Sequence, residues 1–222
     1  ATSFTIVDDF TITVTVPTGA TTGALSLTDG STGCIGVSPV FTIKVICTTS
    51  VDITAFIQGY YDEGTNGTVN PMNSPMFNEG VTVDPTDCDT MIVSLMDAVL
   101  FTEVERDTVI LKTNGTATAS YSSSASGNSY YIRLTHRNAL ETWSSNPVLM
   151  GASGSYNFSS LDTMAYGSQM VLVATGRWAM WSGDCSNFGS PGQDGFVESS
   201  DYSAIENDSQ NFLFGYNVTD IT

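Results

Sequence analysis

The feature that most constrains the fold is a succession of short apolar runs separated by turn residues. In residues 11–16, apolar and hydroxyl side chains alternate at every position, which is the period of a β-strand with one buried face. Further strands are predicted at 24–27, 41–45, 51–57, 91–95, 108–111, 130–134, 170–173 and 178–181. Turn signals such as Asn114-Gly115 separate them, and no useful helical periodicity precedes residue 199. We therefore predict an all-β protein of two antiparallel β-sandwich modules.

The composition is acidic and typical of an extracellular β-protein. The 222 residues include 23 Asp and Glu against 6 Lys and Arg, which gives a net charge of −17. Such a surface repels nucleic acid and anionic membranes and attracts hard cations. No stretch reaches the roughly 18 apolar residues of a membrane span, so we expect no membrane insertion. Neither an initiator Met nor a signal peptide is present, which indicates mature or excised material.

The cysteines are expected to form disulfides. Cys34, Cys47, Cys88 and Cys185 fit no zinc-binding spacing, and His136 is the single histidine. We predict a Cys34–Cys47 pair within one short β-module and a Cys88–Cys185 pair that ties the middle of the chain to an acidic loop. Two disulfides would place the protein outside the reducing cytosol. Four free buried thiols are the alternative.

Residues 183–202 carry the pattern of a calcium-binding loop. In an EF-hand loop, position 5 is a carboxylate, position 6 a glycine, position 7 gives a backbone carbonyl, and positions 9 and 12 supply further oxygens. The chain fills these positions in order with Asp194, Gly195, Phe196, Glu198 and Asp201. Position 1 would fall on Ser190, so we assign the first ligand to Asp184 and attribute the extra length to an insertion. We predict calcium here, followed by the single helix of the chain over about 199–207. The alternative is an acidic turn without an ion.

The N-terminal stretch ATSFTIVDDFTITVTVPTGATTGALSLTDG, with FTI after it, resembles the second half of an IPT/TIG immunoglobulin-like module. The resemblance implies a partial β-module over residues 1–48 that lacks the first strands of the family. A half sandwich exposes apolar faces and strand edges. Either the chain is therefore cut from a longer one, whose flanking domains complete it, or another copy supplies the missing strands.

Four segments of the remaining chain read ITAFIQGYY, SGNSYYIRLTHRNALETWSS, YNFSSLDTMAYGSQM and WSGDCSNFGSPGQDGFVESSDY. They resemble the C-terminal region of large secreted surface proteins of Bacteroidetes-type bacteria. The resemblance implies a β-sandwich over 49–182 and a dockerin-like calcium segment over 183–222, without catalytic activity. The family's second calcium half-repeat is expected to be absent. The resemblance also implies O-glycosylation of Asp-Thr-apolar triplets at Thr90, Thr108 and Thr163.

No residue pattern points to catalysis. His136 follows a predicted strand and is expected to be structural, and Glu103 and Glu105 are more simply explained as solvated charges. Several aromatic residues favour core packing over a sugar-binding platform: Tyr60, Tyr61, Tyr130, Tyr131, Trp143, Trp178 and Trp181.

We therefore predict a non-enzymatic, extracellular cell-surface protein that is stabilised by calcium. It would be a subunit of a pilus-like surface filament or a stalk segment of a large adhesin. Self-assembly into a homo-oligomer or polymer by strand complementation is the expected route, because head-to-tail contacts that do not close generate fibres. The alternative is a carbohydrate-binding module of a secreted enzyme, with glycans as partners.

Overall fold

The chain divides into two compact units, residues 1–46 and 47–222. The computed structural model describes residues 4–8, 11–14, 21, 23–24, 26–28, 35–37, 48–186 and 192–221. The predicted strand at 41–45 and the pair Cys34 and Cys47 lie outside the described residues. Residues 183–222 belong to the second unit.

The first unit contains two separate antiparallel ladders within its described residues. Strand β1 (Phe4–Asp8) pairs with β2 (Thr11–Val14), and β3 (Ser26–Thr28) pairs with β4 (Ile35–Val37). The alternation that predicted a strand from residue 11 and the apolar run at 24–27 thus correspond to β2 and β3.

The second unit is a β-sandwich. Its strands are β5 (Thr48–Thr54), β6 (Asp87–Asp97), β7 (Glu103–Lys112), β8 (Thr116–Ser122), β9 (Ser129–His136), β10 (Ala139–Trp143), β11 (Val148–Leu149), β12 (Ser153–Asn157), β13 (Val171–Ala174) and β14 (Arg177–Ala179). One sheet has the order β10–β9–β6–β7, with β11 also paired to β9, and a second has the order β12–β5–β8. The strands β13 and β14 form a further antiparallel ladder.

Side chains from both main sheets share one core. In β9 the residues Tyr130, Ile132 and Leu134 are buried, while their neighbours in the strand are partly or largely exposed, as the period of two requires. They join buried residues of β5 and β6 in a single cluster, where each such apolar side chain contributes about 1.5–3 kcal/mol. The Tyr121 hydroxyl on β8 donates to the Val93 carbonyl oxygen at 3.1 Å, which links the second sheet to the first. The predicted all-β class is confirmed.

Two features of the sheets differ from the sequence-based expectation. Strand β12 runs parallel to β5, whereas we expected antiparallel pairing throughout. In addition, β8 was not predicted from its sequence; its buried positions are Ala117, Ala119 and Tyr121. Alanine carries too little apolar surface to produce a strong alternating signal, and this strand is held mainly by its register with β5.

The predicted helix after the acidic loop is present as α3 (Ser199–Gln210). The expectation that it is the single helix was wrong, because the one-turn helices α1 (Glu63–Asn66) and α2 (Pro75–Asn78) lie in the long β5–β6 connection. One turn is too short for a periodic pattern. The signal that could have found α2 is the dipeptide at its start: the Ser74 side chain caps it and Pro75 occupies its first turn. Within the part of the chain described, no helix has the length and apolarity to cross a membrane.

Candidate functional site

The acidic loop is closed by Asp184, which is buried at its start. The Asp184 carboxylate accepts the backbone N–H groups of Asp194 at 3.2 Å and Gly195 at 3.1 Å. Gly195 has a φ of 85°, in the left-handed region that favours glycine. The structure therefore brings together the residues that the sequence pattern assigned to the first, fifth and sixth positions, across the inserted stretch.

The second buried carboxylate, Asp201, joins the loop to α3. It accepts the backbone N–H groups of Cys185 at 2.9 Å, Ser186 at 2.8 Å and Glu198 at 2.9 Å. The last of these contacts is half of a capping box, in which the Glu198 side chain in turn accepts from the backbone of the first helical turn. One aspartate thus ends the loop and begins the helix.

The two buried carboxylates differ in their titration. Burial raises the pKa of Asp184, and the nearby negative charges of Asp201 and Asp194 raise it further against the effect of the N–H donors. Burial also opposes ionisation of Asp201, but its backbone donors, Glu198 first among them, hold its pKa below the usual value. The loop therefore concentrates negative charge at Asp184, where a cation would relieve the repulsion.

The five predicted calcium ligands are only partly assembled. Carboxylates and a backbone carbonyl are the oxygen donors that calcium prefers, so the donor chemistry fits. However, the described residues include no group of three or more His, Cys, Asp or Glu side chains arranged to hold a metal ion. Asp184 and Asp201 direct their oxygens at backbone N–H groups, and Phe196 and Glu198 are exposed. Calcium binding stays a prediction.

The predicted Cys88–Cys185 disulfide is not formed, and both residues are buried free cysteines. Cys88 lies on β6 in the sandwich core, whereas the Cys185 Sγ lies 3.9 Å from the Asp201 carbonyl oxygen at α3. Burial raises the pKa of both thiols, that of Cys185 to about 11, with the neighbouring aspartates adding to the shift. Both thiols are protonated at neutral pH and are therefore poor nucleophiles.

A buried charge network surrounds Asp89, which the sequence analysis did not single out. Its fully buried carboxylate accepts from the Tyr60 hydroxyl at 3.0 Å, the Arg137 Nε at 3.0 Å and the Thr90 backbone N–H at 2.7 Å. The His136 Nε2 lies 3.1 Å away, and because Nδ1 accepts the Asn138 N–H, the Nε2 carries the proton. His136 is enclosed, as expected of a structural histidine.

This network holds the C-terminal residues 216–221, and we call the two together the C-terminal clasp. The Tyr216 hydroxyl donates to Asp89, and the Arg137 guanidinium lies 4.1 Å from the Tyr216 ring centroid. The Asp220 carbonyl oxygen accepts from the Asn138 side-chain amide and lies 3.2 Å from the Tyr60 hydroxyl oxygen. The clasp fastens the C-terminal segment to strand β6 and to the turn that follows β9.

The three threonines proposed for O-glycosylation differ in accessibility. Thr108 on β7 and Thr163 are exposed. Thr90 is half-buried, and its hydroxyl lies 3.3 Å from the Tyr216 hydroxyl within the clasp. The fold therefore leaves Thr108 and Thr163 open to a modifying enzyme and restricts Thr90.

The predicted aromatic residues fall into two groups. Tyr60 and Tyr130 are buried in the core, and Tyr61 and Trp178 pack against it, as expected. Trp181, Tyr131 and Trp143 reach the surface, where the last two stand beside Phe101 and Tyr166, which the sequence analysis did not identify.

Comparison with known proteins gives little further information. No family model matches the chain, and no curated protein matches it. Among solved structures, it aligns with a chain from a mutant type II cohesin–X–dockerin complex of Acetivibrio cellulolyticus, with 16% identity, 71% of each chain covered and a TM-score of 0.38. A likeness at this level supports no inference about family or function. The resemblances to IPT/TIG modules and to Bacteroidetes surface proteins therefore stay predictions.

Proposed function

We propose that the protein is a non-enzymatic extracellular module that assembles with further chains, as a filament subunit or a stalk segment of a large adhesin. The observation that carries this proposal is the exposed apolar face of β4. Ile35 and Val37 lie two residues apart, hence on one face of the strand, and are 67% and 65% exposed. Within the described residues, β4 pairs only with β3, so both side chains lie on a two-stranded sheet.

A two-stranded ladder of this kind is marginal in water by itself. A strand or sheet supplied by a neighbouring chain would cover both side chains, and burial of each would contribute about 1.5–3 kcal/mol at most. If the donor strand comes from another copy, each subunit accepts at one place and donates at another. Such a heterologous contact extends into a fibre unless it closes.

The second unit, in contrast, protects one of its sheet edges. The Asp107 carboxylate accepts the Ser120 N–H at 2.8 Å, and the Glu105 carboxylate accepts the Ser122 N–H at 2.7 Å. These N–H groups belong to β8 at the edge of its sheet, where they would otherwise pair with a further strand. The contrast favours the first unit as the assembling part.

The proposed lack of catalysis is supported by the enclosed state of the single histidine, its partner Asp89 and the two cysteines that the structure describes. His136 and Asp89 are buried and committed to the C-terminal clasp. The thiols of Cys88 and Cys185 are buried and protonated.

The test of assembly is negative-stain microscopy with size-exclusion light scattering on the full chain. We expect fibres or concentration-dependent oligomers from the wild type and monomers from the double variant Ile35→Thr, Val37→Thr. The variant Val83→Thr is the matched control, because Val83 is 95% exposed in the second unit. A wild type that stays monomeric at all concentrations would refute assembly between copies of this chain. Monomers that bind glycans would instead favour a carbohydrate-binding module.

We also propose that the loop from Asp184 to Asp201 binds calcium. Calcium at about 100 times its Kd should raise the melting temperature by about 5–10 °C relative to protein in chelator. Asp194→Ala should abolish the shift, whereas Glu206→Ala, which removes an exposed acid from α3, should retain it. If calcium does not raise the melting temperature of the wild type, the loop is not a calcium site.

A further inference from the structure

Four aromatic side chains surround an open cleft at one end of the first sheet. Phe101, Tyr131, Trp143 and Tyr166 line a cavity of about 380 Å³. Tyr131 is central, with ring centroids 5.8 Å from Phe101, 6.0 Å from Trp143 and 6.3 Å from Tyr166. We call this feature the aromatic cleft. Its volume lies within the range of about 300–1,000 Å³ that is usual for small-molecule sites.

The platform is held in place before any ligand arrives. The Trp143 indole N–H donates to the Glu141 carboxylate at 2.6 Å, and Glu141 lies 3.7 Å from the Arg133 guanidinium. Arg133 in turn pairs with Glu103 on β7. This chain of contacts spans three strands and fixes the plane of the indole ring, so that little ordering entropy is lost when the ring receives a ligand.

Phe101 reaches the cleft through a strained turn between β6 and β7. Its φ is 54°, in the left-handed region that is unfavourable for a bulky residue. The Asp97 carboxylate stabilises the turn, since it accepts the N–H groups of Val99 at 2.8 Å and Leu100 at 2.7 Å. Strain of this kind is concentrated at functional sites in proteins, where the surrounding structure maintains it.

The polar groups of the aromatic cleft and the charge of the protein indicate which class of ligand the cleft binds. Among the residues that line the cleft, the Trp143 indole N–H is already donated to Glu141, whereas the Tyr131 and Tyr166 hydroxyls make no hydrogen bond with any residue the structure describes. Aromatic rings can stack on the C–H faces of a ligand, and free tyrosine hydroxyls can form hydrogen bonds with hydroxyl groups along its edges. The net charge of −17 disfavours an anionic ligand.

We propose that the aromatic cleft binds a neutral oligosaccharide whose pyranose rings stack on the Trp143 and Tyr166 side chains. The sequence composition had favoured core packing for the aromatic residues as a group, and the cleft is the place where the fold departs from that expectation. The proposal is independent of assembly, because the exposed face of β4 belongs to the first unit.

The test is isothermal titration calorimetry of the full chain with four neutral hexasaccharides, namely those of cellulose, xylan, mannan and chitin, and with hexagalacturonate as the anionic contrast. We expect saturable binding of at least one neutral probe and no binding of the anionic one. Tyr166→Ala, at a position 60% exposed, should weaken binding about tenfold or more. Tyr202→Ala removes an exposed tyrosine from α3 and should leave binding unchanged.

Three results would overturn the proposal. The first is that no neutral probe binds at concentrations up to about 10 mM. The second is that binding persists at wild-type strength in both Tyr166→Ala and Phe101→Ala. The third is that Tyr166→Ala changes the oligomeric state while no sugar binds, which would show that a second copy occupies the cleft.

Discussion

The replacement Asp89→Asn tests whether the C-terminal clasp depends on a buried charge. The Asp89 carboxylate is fully buried and is the counterion of the Arg137 guanidinium, which is itself largely buried. An amide of the same shape leaves that guanidinium with only the more exposed and more distant Asp220 carboxylate, 3.6 Å away, as a balancing charge. It also turns an N–H₂ group towards hydroxyl and guanidinium donors. Breaking a buried ion pair on one side costs about 3–5 kcal/mol.

The expected effect is large enough to measure directly. For a domain of this size, about 2–4 °C of melting temperature corresponds to each kcal/mol, so the variant should melt about 6–20 °C lower. Urea unfolding followed by tryptophan fluorescence, together with calorimetry, would measure the loss. Asp52→Asn is the matched control, because Asp52 is exposed on β5 and accepts a single hydrogen bond from the Thr118 hydroxyl. Equal destabilisation by the two variants would refute the reasoning.

Three further predictions concern the same unit. In Gly59→Ala the new methyl carbon would lie 1.7 Å from the Ile221 carbonyl oxygen, so amide protons of the C-terminal segment should lose their protection from hydrogen exchange. Burial by itself would raise the pKa of Asp89, but its donors, His136 first among them, hold it well below the usual value. The stability that the ionised Asp89 carboxylate contributes is therefore complete above the unfolded-state pKa of about 3.9 and decreases as the pH falls below that value. Because Asp89→Asn lacks this carboxylate, acidification from about pH 5 to 2 should reduce its stability less than that of the wild type. Iodoacetamide should label Cys88 and Cys185 only after denaturation, by peptide mass spectrometry.

Each of these predictions has a control or a contrary outcome. Gly64→Ala introduces a methyl whose nearest neighbour is the Asp62 carboxylate at 3.4 Å, so hydrogen exchange near the C-terminus should stay as in the wild type. If the wild type and Asp89→Asn lose the same amount of stability on acidification, the pKa of Asp89 does not differ between the folded and unfolded states. Detection of a linked Cys88–Cys185 peptide, with a mass two hydrogen atoms below the sum of the two peptides, would contradict the assignment of both residues as free thiols.

Local sequence signals were sufficient for part of the fold. The helix α3 begins at the predicted residue because its start is encoded within four positions, where Glu198 and Asp201 cap each other's backbone. Strand β9 follows from alternation within one segment. The spacing of acids in the loop likewise led to Asp184 as the partner of Asp194, and their contact crosses only ten positions.

Contacts between distant positions could not be obtained in this way. The aromatic cleft takes its rings from the β6–β7 turn, β9, β10 and a short helical turn at 166–168, and each ring alone is equally compatible with a core. The Cys88–Cys185 pairing failed for the same reason, since a count of cysteines carries no information about where their side chains point. The parallel pairing of β12 with β5 joins strands about a hundred positions apart.

The sequence by itself determined the strand-rich class, the acidic surface and the loop that leads into α3, because these depend on composition and on neighbours within a turn or two. The tertiary structure alone decided which polar groups are buried together. Asp89 is an ordinary strand acid in the sequence, and it becomes the centre of the C-terminal clasp because Tyr60, Arg137 and Tyr216 arrive from three other parts of the chain. A buried charge is stable only when such partners converge on it, and their convergence is a property of the packed sheets.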